Sequence, residues 1–194
     1  MQNEISPKTE LARKFIHIST SIIPLVYYYM ATKEQILVLC ISLFLIFLVG
    51  DVLRIYVTKL RQIYEKVFGM LLRKNETGKT LNGATLLFLG FLLAVVLFEK
   101  NIAVVSMLFL SVSDTLAAVA GKLFGKYKIF NKTIEGTAAF FLSAFIISLF
   151  FYDKPILGFG VALATAIIEL VPLKINDNIT IPLISGLLFT IAKI

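Results

Sequence analysis

A chain of 194 residues that is 58% hydrophobic and only 16% charged, with a mean hydropathy of +0.90, is excluded from the soluble globular class and falls among polytopic membrane proteins. Its net charge of +7 sits between apolar runs, so it sets orientation and meets anionic lipid or phosphate, and it does not indicate nucleic acid. The single cysteine, Cys40, lies within an apolar run, which excludes an intrachain disulfide and makes a thiolate metal site a poor reading.

Apolar runs fall at Phe15–Met30, Ile36–Leu53, Leu81–Phe98, Ile102–Ala120, Thr137–Tyr152, Pro155–Val171 and Ile179–Ala192. They predict one all-α domain, residues 1–194, built as a polytopic bundle of about seven short transmembrane helices. Several runs are shorter than the roughly 20 residues a bilayer core asks for, which implies local thinning or buried half-helices. The first run follows Lys8, Arg13 and Lys14 as a signal peptide would. No small-x-small cleavage site follows Tyr27, Tyr28 and Tyr29, so it reads as an uncleaved helix. Most Lys and Arg residues precede the first run or lie in the loops after the second, fourth and sixth. Lys33, Lys100, Lys154 and Lys193 fall on the other side. That bias places the N-terminus inside and makes the basic side cytosolic, at the plasma membrane if the cell is prokaryotic.

Between the second and third runs, Val57, Leu60, Tyr64, Val67 and Leu71 share one helical face, with Lys59, Arg61 and Lys66 largely elsewhere. This reads as a basic amphipathic helix on the inner leaflet, or as a solvated connector.

Ionisable residues gather on the basic side. Glu10, Arg13, Lys14 and His17 are three and four positions apart and share a helical face. Arg13 and Lys14 are candidates to hold phosphate, with His17 orienting a group or moving a proton; alternatively the cations only enforce topology. Asp114 lies inside an apolar run, where an ionised side chain is costly and functional by default. It shares a narrow face with Ala118, Gly121 and Gly125. Either Asp114 binds Mg²⁺ beside substrate phosphates, or it pairs with a buried cation while the glycines pack helices. The adjoining loop carries Lys122, Lys126, Lys128 and Lys132, then Glu135 and Gly136. Gly121, Lys122, Gly125, Lys126, Lys132, Glu135 and Gly136 are the nucleotide-binding candidates, although Thr133 and Glu135 also suit a plain helix start. Asp177 and Glu169 could complete a metal site with Asp114, where Glu135 is a further candidate ligand, and Asp177 shares with His17 the candidacy for general base; or else Asp177 or Asn178 caps the last helix. Pro172 and Pro182, on either side of it, suggest a fixed re-entrant turn. Asn82, Thr85, Glu169 and Asn178 are candidates for the acceptor substrate. The Gly78–Thr80 tripeptide is not a phosphate loop, since neither the preceding glycine spacing nor a strand is present.

Four stretches together carry a resemblance: E-L-A-R-K-F-I-H from Glu10, L-N-G-A-T from Leu81, D-T-L-A-A-V-A-G-K-L-F-G-K from Asp114 with K-T-I-E-G from Lys132, and E-L-V-P from Glu169 with D-N-I-T-I-P-L from Asp177. In this order they resemble the CTP-dependent lipid-alcohol kinases, the group of dolichol kinase, phytol kinase and CTP-dependent diacylglycerol kinase. The resemblance implies CTP as phosphoryl donor and essential roles for Arg13, Lys14, Asp114 and Gly121. The third stretch is more distantly similar to phosphatidate cytidylyltransferase, but that family ends in a basic, aspartate-rich signature and this chain in N-D-N-I-T-I-P-L. The expected function is phosphorylation of a polyprenol, a phytol-like alcohol or diacylglycerol in the bilayer, with CDP-lipid synthesis second. A small transporter or scaffold is the reading of another class, disfavoured because the polar groups sit at one face and not at the midplane.

Overall fold

The computed structural model describes residues 7–68, 80–173 and 175–193. Where the first apolar run reads as one span, the chain makes two helices, α1 (Pro7–Ser19) and α2 (Ile22–Tyr29). Pro24 has no N–H for the Thr20 carbonyl, which takes the Ile23 N–H in a tight turn instead (3.0 Å). The Thr20 hydroxyl donates back to the His17 carbonyl (2.6 Å), fixing the break just beyond His17.

Thr32 and Gln35 then form a capping box that opens α3 (Lys33–Tyr56). After an extended Val57 comes α4 (Thr58–Phe68), in the region predicted to be amphipathic and basic. Leu71 and Lys79, and the side chains of Glu10 and Val67, lie outside the described residues. Asn82 caps α5 (Gly83–Leu97). α6 (Lys100–Leu108) runs through a π-helical turn, Phe109–Ser113, into α7 (Asp114–Phe124), so that one rod extends from Lys100 to Phe124.

The connection to α8 (Ile134–Phe151) is a small departure from the expected all-α class. β1 (Lys128–Ile129) and β2 (Lys132–Thr133) pair antiparallel across a two-residue turn. That turn puts Phe130 at φ 54°, a region costly for an aromatic residue. α9 (Pro155–Leu170) and α10 (Asp177–Lys193) complete the bundle, and Lys193 pairs with Glu99 at the end opposite the hairpin.

Three helices among the described residues are long and apolar enough to cross a membrane: Lys33–Tyr56, Lys100–Phe124 and Ile134–Phe151. Gly83–Leu97 and Pro155–Leu170 are shorter apolar helices. This is the build of a membrane protein: three helices are long enough for a full crossing, and the other apolar runs expected as short spans form shorter helices, the first of them broken in two. The Lys100–Phe124 rod forms the core, with residues 102–110 buried throughout, whereas the apolar α3 is mostly exposed. Packing around the rod relies on close approach of small residues, as expected where lipid offers no hydrophobic drive. Gly90 of α5 meets the Asn178 carbonyl of α10, and Gly158 of α9 meets Ser148 of α8. Pro182, inside α10, explains the first contact. It cannot donate to the carbonyl four residues back, which is Asn178, so that oxygen is left to lie against Gly90.

Candidate functional site

A cavity of about 810 Å³ opens among α1, α3, α5, the start of α7, the hairpin and the α9–α10 connection. One wall is polar and carries Arg13, Lys14, His17, Asp114, Lys132, Asp177 and Asn178. The other is apolar.

The π turn places Asp114. Its N–H reaches back five residues to the Phe109 carbonyl, and the extra residue in the turn shifts the register of α7. Ser111 and Thr115 donate to carbonyls four residues earlier, at 3.0 and 2.8 Å, and so satisfy their hydroxyls within the rod. Asp114 thereby faces α1, where Lys14 Nζ donates to its Oδ2 at 2.6 Å and to its backbone carbonyl at 3.3 Å. His17, one turn along α1, holds Nδ1 4.0 Å from the same Oδ2.

Lys132, on the hairpin, organises a second group. Its Nζ donates to Glu169 Oε1 and to the Glu169 carbonyl, both at 2.5 Å, and to Asp177 Oδ2 at 3.0 Å. Burial works against the ammonium charge, but Glu169 and Asp177 outweigh it and hold the Lys132 pKa above the ordinary lysine value. Glu169 is the buried last acid of α9, and Asp177 the first residue of α10. Neither Asp177 nor Asn178 does the capping. Asn176 does, its Oδ1 accepting the Asn178 N–H at 3.0 Å, which leaves both of the next two side chains to the cavity. One oxygen from each of Asp114, Glu169 and Asp177 lies within 4.8 Å of the others. Three hard oxygen donors so arranged suit Mg²⁺, which takes one or two carboxylates together with phosphate oxygens.

A hydrogen-bonded chain supports His17. Asn178 Nδ2 donates to the Gly83 carbonyl at 2.7 Å, so its Oδ1 faces His17 Nε2 at 3.3 Å. That amide orientation sets an acceptor before Nε2, while Nδ1 faces Asp114 and Thr115. Behind Gly83 lies a group in which sequence reading had Asn82 and Thr85 as candidates but gave Asp51 and Arg54 no role. Asp51, fully buried, accepts from the Asn82 N–H (2.8 Å), Asn82 Nδ2 (3.0 Å) and the Thr85 hydroxyl (2.7 Å). Arg54 neutralises it at 2.8 Å, donates to the Thr80 carbonyl and lies over the Tyr64 ring. An Asp three residues before an Arg at the end of an apolar run was the available signal.

Several expected residues go elsewhere. Thr85, proposed for substrate, is buried and spent on Asp51, while Asn82 lines the cavity with its amide already engaged by Asp51 and Tyr64. Glu135, expected at the metal, instead accepts from the Lys126 and Tyr127 N–H groups at 3.0 and 3.4 Å and stands outside the carboxylate trio; Glu169, a candidate for both the acceptor and the metal, is inside it. Gly121, Gly125 and Gly136 do not line the cavity. They admit Thr133 and the α7–α8 contact: a Cβ on Gly121 would lie 2.7 Å from the Thr133 hydroxyl, which caps α8 at Gly136 N–H. Lys122 and Lys126 lie outside the cavity, both exposed.

An uncharacterized protein of Rickettsia prowazekii is 34% identical over 186 residues, covering 90% of each chain. The CTP-dependent diacylglycerol kinase 1 of Eremothecium gossypii is 32% identical over 153 residues, 75% of this chain and 47% of its own. Dolichol kinase sec59 of Schizosaccharomyces pombe is 36% identical over 94 residues, 44% of this chain and 18% of its own. The chain belongs to the CTP-dependent lipid-alcohol kinase family. It spans about half the length of the Eremothecium kinase. No protein-family model matches the chain, and no solved structure matches it. All four stretches that carry the family resemblance contribute to the cavity wall, through Arg13, Lys14, Ile16 and His17, through Asn82 to Ala84, through Asp114 with Lys132, and through Leu170 to Pro172 with Asp177 and Asn178.

Proposed function

We propose that this protein transfers the γ-phosphoryl group of CTP to the hydroxyl of a membrane lipid alcohol at the cytosolic face of its membrane. The observation that carries this reading is the two-sided chemistry of the cavity. Asp114 and Asp177 line one end with Lys14 and Lys132, the buried Glu169 stands behind them against Lys132, and the other end is mostly hydrocarbon. A lipid alcohol and a nucleotide need both.

Asp114, Glu169 and Asp177 would hold Mg²⁺, which when bound neutralises phosphate oxygens. Lys14, Lys132 and Arg13 grip the remaining oxygens and stabilise charge on the transferred group, the main service phosphoryl transfer requires. His17 receives the proton of the acceptor hydroxyl at Nδ1, while Asn178 keeps Nε2 protonated and the ring in place. The choice of CTP rests on the relatives' names, since the chemistry of the cavity wall reads phosphate and not the base. Diacylglycerol, a polyprenol and a phytol-like alcohol are the candidate acceptors.

The deciding experiment incubates the purified protein with lipid alcohols or phosphatidate and CTP labelled at the α or the γ phosphate. Label passing from γ to an alcohol is the expected result. Label passing from α to phosphatidate would make it a cytidylyltransferase, and no turnover of either would return it to the transporter or scaffold class.

A further inference from the structure

Half of the cavity takes no part in the phosphate chemistry. Beyond Arg13 and His17 its wall is mostly hydrocarbon, with Ile16 on α1, Ile46 and Phe47 on α3, and Leu87 and Phe88 on α5; the polar groups there are already bonded, the Thr20 hydroxyl to the His17 carbonyl and the Asn82 amide to the Tyr64 hydroxyl. Gly50 of α3 lies on the same wall, and a Cβ placed there would meet nothing within 4 Å. Glycine destabilises a helix interior relative to alanine. At Gly90, Gly136, Gly158 and Gly186 a packed neighbour accounts for the missing side chain. Among the described residues nothing does so at Gly50. Gly160 also faces open space, but it is exposed on α9 and away from the cavity.

The apolar end also opens sideways. Ile16 and Ile46 line the cavity while remaining 49% and 65% exposed, so the wall between α1 and α3 gives onto the outer surface. α3 is apolar along its length and presents that surface to lipid. A bay that is hydrocarbon inside, open to the bilayer and continuous with the carboxylate and ammonium groups fits an apolar chain whose polar end is being modified.

We propose that the bay between α1 and α3, floored by Gly50, takes the hydrocarbon chain of the lipid alcohol next to its hydroxyl. The absent side chain at position 50 then sets how bulky that segment can be. This rests on the kinase reading given above, with the chain lying sideways so that the acceptor reaches the phosphates without leaving the bilayer.

The test compares Gly50→Ala, Gly50→Leu and Gly50→Phe with the wild type in mixed micelles containing Mg²⁺ and CTP. Acceptors are the long-chain alcohol the wild type uses and a short-chain analogue with the same headgroup. Catalytic efficiency toward the long acceptor should fall in order of side-chain size, by about tenfold or more for Leu and Phe. The short analogue should suffer less, KM for CTP should stay put, and the unfolding temperature should hold or rise, since helix propensity improves. Equal efficiency in Gly50→Phe, or equal losses for both acceptors, overturns the proposal. A second arm uses a long-chain alcohol bearing a photoreactive diazirine near its hydroxyl. Crosslinking to Ile16, Ile46, Phe47 or Leu87 in the wild type supports the bay, and crosslinks confined to other surfaces overturn it even if a variant fails to fold. A wild type that transfers nothing from CTP would defeat the kinase reading, whereas the crosslinking result still decides the bay.

Discussion

Lys14 and Asp114 stand 100 positions apart in the chain and 2.6 Å apart in space. Asp114→Asn keeps the shape of the side chain and removes the charge that both Lys14 and a divalent ion need. Transfer of γ-label should fall by about 10²- to 10³-fold or more, while the protein still fractionates with membranes. Full activity would refute the metal role. Lys132 makes a pH prediction. Its folded pKa is raised, so the stability it adds is fully present below the unfolded lysine value and is lost as pH rises through the higher folded one. The gap in unfolding temperature between wild type and Lys132→Met should therefore be constant from neutral pH to about pH 10 and narrow above it. At this scale Asp114 was legible, because a carboxylate in an apolar run is conspicuous whatever the fold. Glu135 and Glu169 were not told apart. Each is an acid at a helix end, and only the hairpin's course decides that one meets backbone N–H groups and the other Lys132.

At the scale of elements, the contact between α5 and α10 aims the site. Pro182 frees the Asn178 carbonyl and Gly90 makes room for it, which seats the start of α10 beside His17. A Cβ at position 90 would lie 2.1 Å from that oxygen, and backbone cannot yield as a flexible side chain can. Gly90→Ala should destabilise by about 1–3 kcal/mol in detergent unfolding and reduce turnover by displacing Asn178 and Asp177. The helices themselves were readable from hydropathy, a local property of composition. The break in the first run had a visible cause in Pro24 that the run's overall hydrophobicity outweighed. The π turn had none, since Phe109–Ser113 reads like any apolar helix, and its insertion is a matter of register within a packed rod. The hairpin escaped notice because Phe130 and Asn131 are not the glycine-containing pair such turns favour.

For the whole molecule, two lysines already compensate much of the charge on three carboxylates, which predicts a fold that survives removal of a divalent ion. Chelation with EDTA should abolish label transfer, with activity restored by Mg²⁺ and the unfolding temperature changed by no more than a few degrees. Activity persisting in EDTA would sink the carboxylate assignment. Membrane class and the clustering of polar residues at one face were legible because both are sums over the chain. Which of those residues touch was not, since it depends on how the helices cross.

Asp177 and Asn178 arrive with α10, the last helix to leave the ribosome among those described. A nascent polypeptide holding Lys14, Asp114 and Lys132 but not yet α10 has two acids instead of three and an imidazole without its amide partner. On the kinase reading, a translation product in which α10 has not yet docked should therefore bind the γ-phosphate poorly and transfer none of it, since the third carboxylate and the amide beside His17 both come with that helix.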